Sequence, residues 1–205
     1  AAQPKDLDAS EIEVRLGATW IDKAYIQQFM YETFDTPFYM QRNIQVNYTP
    51  FTAEWQITGK SSISQNNVAA YTTYGTSRAN AYKILEDSLN LRDVRIYDTV
   101  EDADGKERRV LNAKETTLAA QKQQAIRDAF RDWIWKDPER RQTLVRQYNE
   151  EMNSTRPREY DGSHITFGGM NPSITLREHQ LGAIAHVLYG GNTLLAHEVG
   201  AGKTF

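Results

Sequence analysis

Residues 192–204 read Asn-Thr-Leu-Leu-Ala-His-Glu-Val-Gly-Ala-Gly-Lys-Thr, an apolar run that leads into a loop with two glycines and ends on a Lys-Thr pair. Because glycine has no Cβ, Gly200 and Gly202 let consecutive backbone N–H groups approach an anion. Lys203 would then reach the β- and γ-phosphates of a nucleoside triphosphate, and the Thr204 hydroxyl would coordinate Mg²⁺ where the next helix begins. The stretch predicts a nucleotide-binding loop formed by Gly200, Ala201, Gly202, Lys203 and Thr204.

One position departs from the usual phosphate-loop pattern, since His197 stands where that pattern has its first glycine. The apolar residues before the loop predict an entry strand over residues 194–197. The sequence LLAHEVGAGKT at residues 194–204 resembles motif I of the Swi/Snf-like branch of superfamily-two DNA helicases and translocases. In that family an acidic residue usually occupies the position of His197. The resemblance implies a P-loop α/β motor lobe with ATP and Mg²⁺ as cofactors. It also implies catalytic roles for Lys203 and Thr204, and contact of Thr204 with the metal through the nucleotide.

A second match lies upstream, where residues 176–180 (LREHQ) resemble the Leu-Arg-x-x-Gln element that opens these motor domains. In that family the glutamine recognises adenine, so the resemblance implies that Gln180 reads the base. A helix between the two elements is predicted to begin at a Thr175 cap and to end at Gly190 and Gly191. Helix, turn, strand and loop then follow in the order of the family.

Residues 191–205 (GNTLLAHEVGAGKTF) are also similar to very large proteins of conjugative elements and phages that join such a helicase to an N6-adenine DNA methyltransferase. An Asn-Pro-Pro-Tyr type turn, which marks the methyltransferase, does not occur in the sequence. The chain starts without Met and stops at Phe205, directly after the loop. These features predict a piece of a larger DNA-dependent ATPase that serves DNA methylation or anti-restriction on a mobile element. Hydrolysis also needs an Asp-Glu pair and an arginine finger, so the piece alone is expected to be inactive, with DNA and the remaining helicase lobes as partners.

The middle of the chain is basic inside an acidic protein. Residues 106–158 hold 13 Lys and Arg against 8 Asp and Glu, while the whole chain has a net charge of −3. The pattern predicts two helices in this region. Asn112 caps the first, which runs to about Lys136, and Asp137 with Pro138 begins the second.

The first of these helices is predicted to bury a stripe of residues spaced mostly three or four apart: Leu118, Lys122, Ile126, Phe130, Trp133 and Ile134. Five arginines lie largely off the stripes of the two helices: Arg127, Arg131, Arg140, Arg141 and Arg146. Their guanidinium groups could neutralise the phosphates of a nucleic-acid backbone. They could instead form ordinary surface pairs with Asp128, Asp132 and Glu139, and the sequence leaves both interpretations open.

The acidic first part of the chain predicts a mixture of helices and strands. Asp22 is a helix cap before an apolar stripe that ends ahead of Pro37. A further helix is predicted from a cap at Thr76 or Ser77 through Leu89.

Alternating apolar residues predict two hairpins in the same part. Residues 44–48 and 55–57 alternate with the period of half-buried strands. Apolar residues at 94–96 and 110–111 flank an Asp-Gly turn within 102–105, which is a strong hairpin signal. We therefore expect an α+β region with a small antiparallel sheet.

These features predict an α+β accessory domain over residues 1–111, a basic two-helix connector over 112–153, a linker over 154–172, and the truncated start of a P-loop α/β motor lobe over 173–205. The linker is rich in turn-forming residues, as domain boundaries usually are. The alternative to a motor fragment is that residues 1–170 form an independent module that binds protein or nucleic acid and is only attached to a P-loop ATPase.

The composition excludes several classes of protein and site. The absence of cysteine excludes a disulfide partner, a thiolate zinc site and a cysteine nucleophile. No apolar run approaches the ~20 residues of a membrane span, and the N-terminus lacks the basic start and apolar stretch of a signal peptide. We therefore expect no membrane partner and a cytoplasmic location. The four histidines do not have the spacing of a metal site.

Overall fold

The computed structural model describes residues 4–101, 106–155, 158–198 and 200–202. The chain divides into two compact units, a larger one over Lys5–Ser154 and a smaller one formed by Ala1–Pro4 and Thr155–Phe205. The larger unit holds nearly all of the predicted accessory domain together with the predicted connector. The smaller unit holds the predicted linker and the predicted start of the motor lobe.

Helices and two hairpins build the larger unit. Its elements are α1 (Lys23–Thr33), β1 (Val46–Thr49), β2 (Glu54–Ile57), α2 (Ala81–Leu89), β3 (Tyr97–Glu101), β4 (Glu107–Leu111), α3 (Ala113–Lys136) and α4 (Pro138–Glu151), with a 3-10 turn at Phe38–Met40 and a π-helical turn at Ala69–Thr73. The predicted α+β class is confirmed. The expectation of one small sheet is wrong, because β1 pairs only with β2 and β3 only with β4, both antiparallel. The predicted Asp-Gly turn lies outside the described residues.

The first helix begins as the sequence predicts. The Asp22 carboxylate accepts a hydrogen bond from the backbone N–H of Ala24 at 2.7 Å and so caps α1. The buried ring of Phe29 meets Phe130 and Trp133 of α3 edge-on, at centroid distances of 5.1 and 5.6 Å. Such aromatic contacts add about 0.5–1.5 kcal/mol beyond the burial of area, so they fix α1 against α3.

The start of α2 differs from the prediction. Asn80 caps the helix, since its side-chain oxygen accepts a hydrogen bond from the backbone N–H of Lys83 at 3.0 Å. The predicted caps Thr76 and Ser77 are wrong. The Thr76 hydroxyl instead closes a turn by accepting from the backbone N–H of Ala79 at 3.0 Å. Asparagine, serine and threonine are all favourable caps, so residue type alone does not choose among them.

The long helix α3 buries part of the predicted stripe, since Ile126, Phe130 and Ile134 are buried as predicted. The prediction for Leu118 and Lys122 is wrong, because Leu118 is 40% exposed and the Lys122 ammonium donates to the backbone carbonyl of Thr72. The predicted cap at Asn112 is confirmed by its hydrogen bond from the backbone N–H of Glu115. The buried residues of α3 are Ala119, Gln123, Ile126, Phe130 and Ile134.

Gln123 is buried although it is polar, because its carboxamide is hydrogen-bonded to three neighbours. The amide nitrogen donates to the Ser88 hydroxyl at 3.2 Å and to the Arg92 carbonyl at 2.7 Å. The amide oxygen accepts from the backbone N–H of Val94 at 3.4 Å. A buried polar side chain is tolerated when it is satisfied in this way, so Gln123 joins α3 to the end of α2 and the segment after it.

An arginine closes the corner between α3 and α4. Asp137 caps α4 and Pro138 occupies its first turn, as predicted. The guanidinium of Arg140 donates from Nε to the Ile134 carbonyl at 3.0 Å and from Nη2 to the Trp133 carbonyl at 2.6 Å. It also lies 3.5 Å from the centre of the Trp133 ring. The carbonyls at the end of a helix favour a cation, and Arg140 is only 9% exposed as a result.

The described part of the smaller unit contains the helix α5 (Glu178–Gly190) and connecting segments. The predicted Thr175 cap is wrong, because α5 begins after Arg177. The predicted strand over 194–197 is also wrong, since residues 193–198 are neither helix nor strand. A strand needs a paired neighbour for its backbone hydrogen bonds, and the two described hairpins both lie in the larger unit. Within the described ranges, no helix has both the length and the apolar character that crossing a membrane requires.

Tyr82 provides a test of the core. Its buried hydroxyl lies 2.6 Å from the Thr36 hydroxyl, and burial raises the pKa of Tyr82 to about 12 from its ordinary value of 10.0. Because the folded pKa is the higher one, the resulting stability is present below pH 10.0 and is lost as the pH rises towards about 12. We expect Tyr82→Phe to lower the free energy of unfolding by about 1–2 kcal/mol near neutral pH and to reduce its decline above pH 10 in urea titrations. Tyr39→Phe, at a ring that is 76% exposed, is the control, and equal effects of the two changes would contradict the assignment.

Arg140→Lys tests the helix corner. Lysine keeps the charge but cannot donate two hydrogen bonds in one plane or stack its head group on Trp133, so we expect the free energy of unfolding to fall by about 1.5–3 kcal/mol. Arg146→Lys, at an exposed position of α4, should leave it unchanged. Urea unfolding followed by circular dichroism measures both, and an unaltered midpoint for Arg140→Lys would show that Arg140 does not hold the corner.

Candidate nucleotide-binding site

Gln180 is held in place at the start of α5. Its side-chain oxygen accepts a hydrogen bond from the backbone N–H of Arg177 at 2.9 Å. In a capping box, a glutamine at the third helical position makes this contact with the N-cap residue. Its side-chain nitrogen donates to the backbone carbonyl of Gly202 at 3.0 Å. One carboxamide therefore connects the first turn of α5 to the glycine loop, 22 residues further along the chain.

The neighbouring residue makes a parallel contact. His179 places Nε2 2.9 Å from the backbone carbonyl of Ala201. A carbonyl oxygen can only accept, so Nε2 of His179 carries the proton in this contact. The His179 ring also meets the His197 ring edge-on, at a centroid distance of 5.7 Å. Two adjacent side chains of α5 thus hold two consecutive carbonyls of the loop.

The loop has the backbone conformation that its glycines allow. Gly200 has φ +89° and Gly202 has φ +75°, both in the left-handed region that residues with a Cβ rarely adopt. A Cβ added at Gly200 would meet no atom of the described residues within 4 Å. Ala201 between them is half-buried. Lys203 and Thr204, the predicted catalytic pair, lie outside the described residues.

Two adjoining cavities share Gln180 in their walls. The first, of about 220 Å³, is mainly apolar and lies between α5 and the loop, with Leu176, Ile184 and Leu195 among its lining residues. The second, of about 270 Å³, is more polar and is bordered by residues 174–177 and by Gly200, Ala201 and Gly202. Gln180 thus stands between an apolar chamber and a polar chamber that the glycine loop borders.

The predicted arginines have three different environments. Arg140 is buried in the helix corner, where its guanidinium is already hydrogen-bonded. Arg141 is exposed and makes a 3.4 Å hydrogen bond from Nη1 to the Trp135 carbonyl. Arg127 and Arg131 border one cleft, and Arg146 is exposed on α4. The five arginines therefore do not form one surface.

The sequence analysis did not identify two residues that the structure places at these sites, Arg15 and His179. Arg15 borders the same cleft as Arg127 and Arg131. Its signal was the alternation over 12–16, where apolar residues are buried and Glu13 and Arg15 are exposed. His179 had no comparable signal, since its contact with the loop depends on how the loop folds back on α5.

Comparison with curated proteins and comparison with solved structures find no match for the chain. A family model described as a domain of unknown function, DUF8437, matches residues 15–154. The match covers more than half of the chain and ends where the larger unit ends. The chain therefore belongs to the DUF8437 family.

Proposed function

We propose that residues 173–205 form the adenine-nucleotide-binding start of a helicase- or translocase-type motor lobe, in a DNA-dependent ATPase. The observation that carries the proposal is the hydrogen bond between the Gln180 side chain and the Gly202 carbonyl. It brings together the two elements whose sequences, residues 176–180 and 194–204, resemble the opening motifs of superfamily-two motors. A reader of the base and a holder of the phosphates must be neighbours if they serve one nucleotide.

Gln180 retains the capacity to read adenine. A carboxamide has two N–H donors and two lone pairs on its oxygen, and each end of Gln180 uses one of these for Arg177 and Gly202. The remaining donor and lone pair fit the N7 acceptor and the N6 amino group of adenine, with which glutamine pairs in a bidentate manner. Guanine presents an oxygen in place of that amino group, so Gln180 would favour adenine.

The loop suits the phosphates. Gly200 and Gly202 have positive φ angles and carry no Cβ, as glycines of anion-binding loops often do, while the N–H of Ala201 between them donates to the Glu198 carbonyl at 3.3 Å. Lys203 follows directly in the sequence and would add a positive charge at the β- and γ-phosphates. Thr204 would hold Mg²⁺ through its hydroxyl, and the metal would neutralise charge on the phosphates.

The apolar chamber beside Gln180 supports the same proposal. Flat bases bind between apolar side chains with a few polar groups that set their orientation, and Leu176, Ile184 and Leu195 provide such walls. Leu188 and Leu194 are 60% and 87% exposed. We infer that further elements of the motor lobe cover these side chains.

A second function is favoured for the larger unit. It is compact over Lys5–Ser154, and the family match over 15–154 lies within it and ends at the same residue. This agreement supports a separate module, and we propose that it binds protein or nucleic acid and that the nucleotide-binding segment is attached to it. The two proposals are compatible, because one concerns the smaller unit and the other the larger.

Gln180→Ala tests the reading of adenine. We expect the affinity of the intact protein for Mg·ATP to fall roughly tenfold and its preference for ATP over GTP to disappear, because a bidentate contact with adenine contributes about 1–3 kcal/mol of discrimination. Isothermal titration with each nucleotide measures both. Gln121→Ala, at an exposed glutamine of α3, is the matched control. Unchanged ATP affinity in Gln180→Ala would remove Gln180 from the site.

Lys203→Ala tests the phosphate loop. In the intact protein with added DNA, we expect ATP turnover to fall by at least about 100-fold, because one preorganised charge on the transferred phosphoryl group is lost. Lys136→Ala, at an exposed lysine that ends α3, should turn over ATP at the normal rate. A phosphate-release assay gives the answer, and near-normal turnover by Lys203→Ala would exclude this loop as the catalytic phosphate site.

A further inference from the structure

A separate cleft in the larger unit is bordered by three arginines. It has a volume of about 220 Å³ and lies between the extended segment 13–16, the end of α2 and the middle of α3. Arg15 comes from the segment, and Arg127 and Arg131 come from α3. Leu91, just after α2, is 64% exposed and also borders it.

The three guanidinium groups have no partner within the part of the chain that the structure describes. The side chains of Arg15, Arg127 and Arg131 make neither an ion pair nor a hydrogen bond there. Other arginines are engaged: Arg78 binds Asp98 at 2.8 Å, and Arg92 lies 3.3 Å from Glu54. The arginines of the cleft therefore keep their donors for a ligand.

Backbone packing fixes this arrangement before any ligand binds. Ile12, Val14 and Leu16 are buried, which forces the alternate residue Arg15 outward. Gly17 has φ +86°, and a Cβ at this position would collide with the Leu89 carbonyl, so the segment lies directly on the end of α2. The backbone positions of the arginines are therefore fixed before binding, and the entropy that binding costs is that of ordering their side chains.

The net positive charge of the residues that line the cleft favours an anionic ligand. Arg127 and Arg131 stand four residues apart on α3, where like charges repel each other and destabilise a helix. Arg15 adds a third positive charge at the same cleft. Glu13 is the one acidic residue among those that border it, so the local balance is positive. A ligand with several negative charges would relieve the repulsion.

We propose that this cleft binds the phosphodiester backbone of DNA. Arg127 and Arg131 lie about 6 Å apart along the helix axis, so they can meet different phosphates of one strand, and Arg15 provides a third donor group beside them. The exposed Leu91 offers an apolar contact to a sugar or a base beside them. Arg140, which is buried, has no part in this surface, and Arg141 and Arg146 lie outside the cleft. The site lies in the larger unit and does not rest on the proposed nucleotide site.

Binding of labelled single-stranded and duplex oligonucleotides, followed by fluorescence anisotropy between about 50 and 200 mM salt, tests the proposal. The variant Arg15→Gln/Arg127→Gln/Arg131→Gln should bind at least about tenfold more weakly at the lowest salt. Its plot of log affinity against log salt should be shallower by about two to three, since each lost phosphate contact removes about 0.7–0.9 from the slope. Arg42→Gln, at an exposed arginine outside the cleft, is the matched control and should bind as the unaltered chain does.

Glu13→Gln tests the proposal in the opposite direction. Removal of this negative charge should tighten DNA binding several-fold, a gain that a merely damaged fold would not give. The proposal is overturned if the triple variant binds like the unaltered chain, if Arg42→Gln weakens binding as much, or if Glu13→Gln weakens it. Displacement of DNA by inorganic phosphate or polyglutamate as effectively as by unlabelled DNA, at matched ionic strength, would also overturn it. The DNA-binding measurements contain no nucleotide, so their outcome does not depend on the outcome of the Gln180→Ala and Lys203→Ala tests.

Discussion

The edge-on contacts of Phe29 with Phe130 and Trp133 are the interaction on which the larger unit depends. They fix α1 to α3. The guanidinium of Arg140, from α4, lies over the Trp133 ring and so joins α4 to the same aromatic side chains. Three helices are thereby held around one aromatic cluster. The position of α3 in turn decides which of its side chains face the core and which, like Arg127 and Arg131, face the cleft.

Local features of this fold could be read from the sequence, and features that depend on distant partners could not. The caps Asp22, Asn112 and Asp137 were predictable because each side chain bonds a backbone N–H two or three residues away. The burial of Gln123 was not, because its partners at Ser88, Arg92 and Val94 are about 30 residues away. A glutamine in an amphipathic helix is normally predicted to be exposed. Only the hydrogen bonds to these distant partners make the burial of Gln123 favourable.

The same distinction applies to the candidate sites. Gln180 and the glycine loop were connected through a resemblance between motifs, and their hydrogen bond is a contact that no local pattern encodes. Arg140 looked like the other basic residues of its helix, but the carbonyls of Trp133 and Ile134 engage it inside the fold. Arg15 lay outside the basic region altogether, and only the packing of segment 13–16 brings it to Arg127 and Arg131.

The two proposed sites would recognise phosphate by different physical means. A glycine loop uses backbone donors fixed by the fold, so it suits one small ligand in one orientation. Separate guanidinium groups act mainly through charge, so they suit a polymer that can lie across them in many registers. Arg15, Arg127 and Arg131 all fall within the family match over residues 15–154, whereas the glycine loop falls outside it. Of the two proposed sites, only the arginine cleft lies within the residues that the family model matches.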